Sequence, residues 1–162
     1  MKNTDVRLYN VIFPAWLLWI IPMTWLIVIP ANLAIDFTVI YLTMRFMGVE
    51  NRKEVAKRSI VAVWMLGFAA DIIGSALMFA PAFLDMNADF VNGVMMNPFT
   101  NLWAFLWVTV CFIISAICIY LFNYKVCYKN TGLEEWHKKK LALFMTIFTA
   151  PYLFYLPTEW FY

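Results

Sequence analysis

The chain has 162 residues, of which 64% are apolar and only 14% charged, with a net charge of +2. Soluble domains sit near half apolar and a quarter charged, so this composition does not supply enough polar surface for a water-soluble globule and points to lipid as the solvent. The small net charge gives no reason to expect a nucleic-acid partner, and the length is that of one domain.

The opening stretch "MKNTDVRLYN" has no apolar core closed by a small-residue cleavage site, so no cleaved signal peptide is expected. From Val11 to Met47 the only strong charge before Arg45 is Asp36. A crossing helix needs about 20 apolar residues, which makes this stretch too long for one span. "IPAN", around Pro30, is the only turn-like punctuation near its centre. Division there gives a first span over about 10–29 and a second over about 31–47. "GVENRKEVAKR" is a charged loop, and the third span follows over 59–84. "DMNADFVNGVMMNPFT" reads as a polar loop with turn residues Asn92, Gly93, Asn97 and Pro98. The fourth span covers 101–124, a second charged loop "KVCYKNTGLEEWHKKK" follows, and a short fifth span covers about 141–156. The fold class is therefore all-α, an integral membrane bundle of five transmembrane helices forming a single domain.

In this arrangement every Lys and Arg falls on one side, and only Asp85, Asp89 and Glu159 fall on the other. The positive-inside rule then places the N-terminus in the cytoplasm and the C-terminus outside. The expected location is a plasma membrane of bacterial or archaeal type. Trp103, Trp160, Phe161, Tyr162, Tyr124 and Tyr128 lie near span ends, where amphipathic rings settle among headgroups.

Two acids interrupt the apolar runs: Asp36 in "ANLAIDF" and Asp71 in "GFAADIIGS". Each is twelve positions from the basic boundary, at Gly48 and Ser59 respectively. At about 1.5 Å per residue both lie about 18 Å deep, slightly past the midplane of a ~30 Å hydrocarbon core. A short loop joins their spans, so the two carboxyls can meet at one level. Asn32 lies one turn from Asp36 and Ser75 one turn from Asp71, on the same faces. Gly67 and Gly74 flank Asp71 at helical spacing and leave room for a close neighbour. No Lys, Arg or His shares the acids' depth, and an unpaired carboxylate in hydrocarbon is costly. At least one acid is therefore expected to be protonated or to hold a cation. Pro22 and Pro151 fall near the same depth, and each frees the carbonyl four residues back, at Leu18 and Ile147. Thr24, Thr43, Thr149 and Tyr152 could add oxygens along a pathway.

Other signals are weaker. "DMNAD" starts like a calcium loop, but Phe90 stands where the turn glycine belongs and Met96 where the bidentate glutamate belongs. His137, the single histidine, sits in "EEWHKKK", whose lysines suit anionic headgroups. Cys111, Cys118 and Cys127 have no metal or redox spacing. No hydrolase, metalloprotease or nucleotide-binding motif occurs, so an enzyme is the less favoured reading. No cofactor is evident beyond room for a bound cation, and no metal can be named. The expected function is a proton- or cation-linked transporter or channel using Asp36, Asp71, Asn32 and Ser75. A non-catalytic accessory or scaffold subunit is the alternative, and an intramembrane aspartyl hydrolase is the third reading. The expected partners are the lipid bilayer and either further copies of the chain or a larger membrane complex.

Overall fold

The computed structural model of the chain describes residues 22–84 and 86–161. Its secondary structure is helical, with no strand among the described residues. Helix α1 spans Pro22–Phe46, α2 Arg52–Phe83, α3 Ala88–Met96, α4 Leu102–Phe122 and α5 Glu135–Thr149. Three stretches are long and apolar enough to cross a membrane: Trp25–Phe46, Arg52–Phe83 and Leu102–Cys127. Their outward faces carry Leu26, Val61, Met65, Leu102 and Ile117 in the open. So much exposed aliphatic surface on three long helices marks a membrane protein.

The expected division at Pro30 is not seen. Pro30 lies inside α1, which runs unbroken from Pro22. A proline removes one donor and disturbs one carbonyl, which a membrane helix accommodates without ending. Of the expected first span, 22–29 therefore belongs to the same helix as Asp36, and 10–21 lies outside the described residues, as do Lys2 and Arg7. Helix α1 ends at a glycine cap. Gly48 has φ +73°, its N–H donates to Arg45 O at 3.2 Å, and Val49 N–H donates to Met44 O at 3.0 Å. That pair of bonds is a Schellman closure, which needs the left-handed backbone glycine adopts without strain. It turns the chain directly into α2, so α1 and α2 form a hairpin.

The expected polar loop at 85–100 contains a helix. Asn87 accepts a hydrogen bond from Asp89 N–H at 2.8 Å and so caps α3, which is incompatible with a calcium loop. Phe90 and Val94, one turn apart, pack toward Ala104 and Val108 of α4. Gly93, which reads as a turn residue, is instead a contact residue: a Cβ there would stand 2.8 Å from Ala104 Cβ. Asn101 then caps α4 by accepting from Trp103 N–H at 2.9 Å. After Phe122 the helix widens into a π-turn over Asn123–Cys127.

The stretch 141–156 is not one helix either. Helix α5 begins at Glu135, inside the charged segment, and stops at Thr149, with a 3-10 turn over Tyr152–Tyr155 beyond it. The cause is Pro151, which forces its predecessor out of helical backbone; Ala150 has ψ 151°.

Helix α2 packs against α1 on one side and α4 on the other, and α5 closes the group by contacting α1 and α4. Ser115 Oγ of α4 donates to Ala70 O of α2 at 3.0 Å, and Trp107 Nε1 donates to Leu77 O at 3.2 Å. The second bond has a clear origin: Leu77 is four residues before Pro81, so its carbonyl has lost its helical donor and takes an indole N–H instead.

Buried side chains gather in two clusters. One joins Met44, Val55, Val63, Tyr128, Leu141 and Met145, so the end of α1, the start of α2, the end of α4 and the start of α5 lie together. All the described Lys and Arg flank this end. Tyr128, expected at the headgroups, is fully buried here, whereas Trp103 and Trp160 are exposed. The second cluster joins Met78, Val94, Ala104, Val108, Cys111 and Phe154. Between the two clusters α2 and α4 stay in contact at Ala70, Gly74 and Ser115, while α1, α2 and the end of α5 leave a gap.

Candidate functional site

Asp36 and Asp71 lie in that gap. One cavity of about 400 Å³ is lined by both, together with Asn32, Gly67, Thr149 and Tyr152. Helix α1 supplies Asn32 and Asp36 one turn apart. Helix α2 supplies Gly67 and Asp71 one turn apart. The break after α5 supplies Thr149 and Tyr152. Most of the expected site residues thus meet in one place. Ser75 does not join them: it is buried, its Oγ has no hydrogen-bond partner, and it lies outside the cavity lining. Thr43 is buried nearer the basic end and also does not line it. Thr24 lies in the first turn of α1, and its side chain falls outside the described residues.

Asp36 is only 8% exposed. Asp71 Oδ1 is buried with no hydrogen-bond partner. The two carboxyls line the same cavity. Neither has a cationic partner among the described residues, whose ion pairs all lie elsewhere: Arg58 with Glu54, His137 with Glu134, Lys138 with Glu135. No third His, Cys, Asp or Glu among the described residues joins them in a metal-type cluster.

The two hydroxyls that line the cavity have already used their protons. Thr149 Oγ1 donates to Met145 O at 2.7 Å, and Tyr152 Oη donates to Ile147 O at 2.5 Å. Behind Asp71, Ser115 Oγ of α4 donates to Ala70 O. Each hydroxyl can offer the cavity lone pairs only. The bond from Tyr152 also corrects an expectation, because the Ile147 carbonyl freed by Pro151 is not open to an ion. Helix α5 adds to the same polarity, since its C-terminal, partly negative end stops at the cavity through Phe148, Thr149 and Ala150. The site is therefore rich in acceptors, with the Asn32 amide and the Trp64 indole as its side-chain donors.

Of these donors, Trp64 is the buried one. Its Nε1–H is buried without a partner, and the side chain lines the cavity. Trp64 and Phe68 were not anticipated as site residues, although their positions seven and three before Asp71 put them on its face of α2. Phe148 and Phe154 complete the aromatic wall; nothing in the sequence places them there without the break at Pro151.

The two glycines beside Asp71 differ. A Cβ at Gly74 would meet the Phe154 ring at 2.7 Å and Ser115 Cβ at 3.0 Å, so this glycine does permit close packing. A Cβ at Gly67 would meet nothing within 4 Å. The space at Gly67 belongs to the cavity. Comparison of the chain with protein-family models, with curated proteins and with solved structures gives no match, so the site is read from its own chemistry.

Proposed function

We propose that this protein is a small polytopic membrane protein that binds and moves a proton or a cation through Asp36 and Asp71. The observation that carries the reading is the shared cavity. Two acids with no cationic partner among the described residues face one open volume partway along the helices, where the Thr149 and Tyr152 hydroxyls are turned as acceptors. Such an arrangement stabilises positive charge and has little to offer an anion. Acids that served only as packing contacts between helices would be expected to close on each other and bury their oxygens in mutual hydrogen bonds.

The orientation follows from the basic end of the bundle, which the positive-inside rule assigns to the cytoplasm. Helix α5 then runs outward, and the C-terminus lies outside. A reporter fused after Tyr162 will be active only outside the cytoplasm; activity inside reverses the orientation.

The functional test is flux. Wild type, Asp36→Asn and Asp71→Asn are purified, placed in liposomes and followed with pH- and cation-sensitive dyes. Wild type conducts or exchanges a cation, and each folded variant loses it by at least about 10-fold, since one carboxylate-to-cation contact removed is worth about that much. A wild type inert to protons and to a broad cation panel, with variants that differ only in stability, leaves the accessory-subunit reading in place.

A further inference from the structure

The cavity has a wall that an inorganic ion would not use. Trp64, Phe68, Phe148, Tyr152 and Phe154 face it together with aliphatic neighbours. A dehydrated metal ion needs six or so oxygens at short range, which two carboxyls and a few hydroxyls spread around about 400 Å³ do not provide. That volume falls instead within the span of about 300–1,000 Å³ typical of small-molecule sites. The polar groups are few and specific. Asp71 Oδ1 is an unpartnered buried acceptor, and Trp64 Nε1–H is an unpartnered buried donor. Buried groups of this kind are satisfied by something, and the cost of leaving them unmet favours whatever supplies the missing half of each bond. Trp107 shows what the alternative looks like in the same molecule: its indole N–H is taken by the Leu77 carbonyl. No backbone carbonyl takes that of Trp64.

We infer that the cavity binds a small organic ammonium ion. The ion carries at least one N–H, which donates to Asp71 with Asp36 beside it. It has an apolar or aromatic body that lies against the ring wall, where aromatic faces also attract the cationic centre. It bears one acceptor, such as a hydroxyl, that receives the Trp64 N–H once the indole turns its buried edge to the cavity. This assignment rests on the cation reading above and narrows it to a class of cargo.

The test uses the full chain in lipid nanodiscs and isothermal calorimetry with a ligand series. The probes are 2-phenylethylammonium, its neutral counterpart 2-phenylethanol, its N-trimethyl form, 2-amino-1-phenylethanol, and sodium, potassium and magnesium ions. 2-Phenylethylammonium binds, and 2-phenylethanol binds about 100-fold more weakly, because the charge-assisted bond to the carboxylate is lost. The N-trimethyl form falls between them, having charge but no N–H. 2-Amino-1-phenylethanol binds more tightly than 2-phenylethylammonium in wild type, and Trp64→Phe removes that advantage while retaining ammonium binding. Gly67→Leu fills the space that a side chain at this position would enter, keeps both acids, and abolishes binding without lowering the thermal midpoint; it also exposes any signal that is only partitioning into lipid. Equal binding of the alcohol and the ammonium, or full binding to Gly67→Leu, overturns the inference. Inorganic cation binding or proton flux that depends on Asp71, with no ammonium binding, overturns it too but leaves the cation reading intact. A protein that binds none of the series and conducts nothing overturns both.

Discussion

At Ile40, Val63 and Met145 helices α1, α2 and α5 meet over fully or almost fully buried side chains. One turn further along each of them, at Asp36, Gly67 and Thr149, the same helices stand around a cavity. The contrast has a residue-level cause. On the closed side each helix contributes a branched or long apolar side chain. On the open side α1 contributes an acid, α2 contributes no side chain at Gly67, and α5 comes to an end. The opening is thus written into three elements at one level, in a bundle that packs tightly immediately beside it. A membrane protein can hold a space in its interior without being loosely built.

The strongest way to separate the two regions is to remove a side chain from the closed one. Met44 is fully buried there, and Met44→Ala should cost about 3 kcal/mol, within the range for large-to-small changes in cores. Reversible unfolding in mixed micelles with increasing denaturing detergent measures it; a loss near zero would mean that the closed cluster is not packed as described. Next come the two glycines of α2. Gly74→Ala drives a methyl into the Phe154 ring and Ser115 and should destabilise by about 1–3 kcal/mol. Gly67→Ala enters open space and should be neutral or stabilising by up to about 1 kcal/mol, because alanine replaces glycine within a helix. The same unfolding assay reads both, and equal effects at the two positions would erase the distinction between contact and cavity. The smallest effect lies outside the membrane, at the basic end. A hydrogen bond from Lys138 Nζ at 3.0 Å, then one from Tyr124 Oη at 3.0 Å, hold the Glu135 carboxyl below its ordinary value. A lowered carboxylate contributes stability above the usual glutamate range and loses it as pH falls through the lowered value. Because Glu135 is fully exposed, the acid-side drop in thermal midpoint that Glu135→Gln removes should be slight. A large drop removed by this change would place Glu135 in a more buried role.

The sequence made the site legible through two signals that do not depend on tertiary detail. Acids in apolar runs are costly wherever the helices go, and their distance from a charged boundary sets their depth. Asp36 and Asp71 were reachable in this way, Asn32 by helical spacing from Asp36, and Thr149 and Tyr152 as oxygens at the depth of Pro151. The prolines were not. Pro30, Pro81 and Pro151 look alike in sequence, yet one sits inside a helix, one frees a carbonyl that Trp107 takes, and one ends α5 with Tyr152 capping the carbonyl behind it. The outcome depends on which side chain reaches the freed carbonyl, and only the packed structure decides that. Helix α3 was hidden for a related reason. Asn92 and Gly93 are strong turn signals, but Gly93 is small because Ala104 is close. Ser75 fits the helical spacing of Asp71, yet it is buried outside the cavity lining, which itself reaches a turn or more outward along α1 through Asn32 and Val28.

Helix α2 has 32 residues, about 48 Å of helix, against a hydrocarbon core of about 30 Å. Even without its charged first turns, the stretch 59–83 measures about 37 Å. A helix that exceeds the bilayer in this way tilts to match it, and the tilt follows lipid chain length. Helix α2 carries Trp64, Gly67 and Asp71, whereas Thr149 sits at the end of the much shorter α5. Helices of such unequal length meet a change in bilayer thickness differently, so α2 is the wall through which lipid chain length would reach the site.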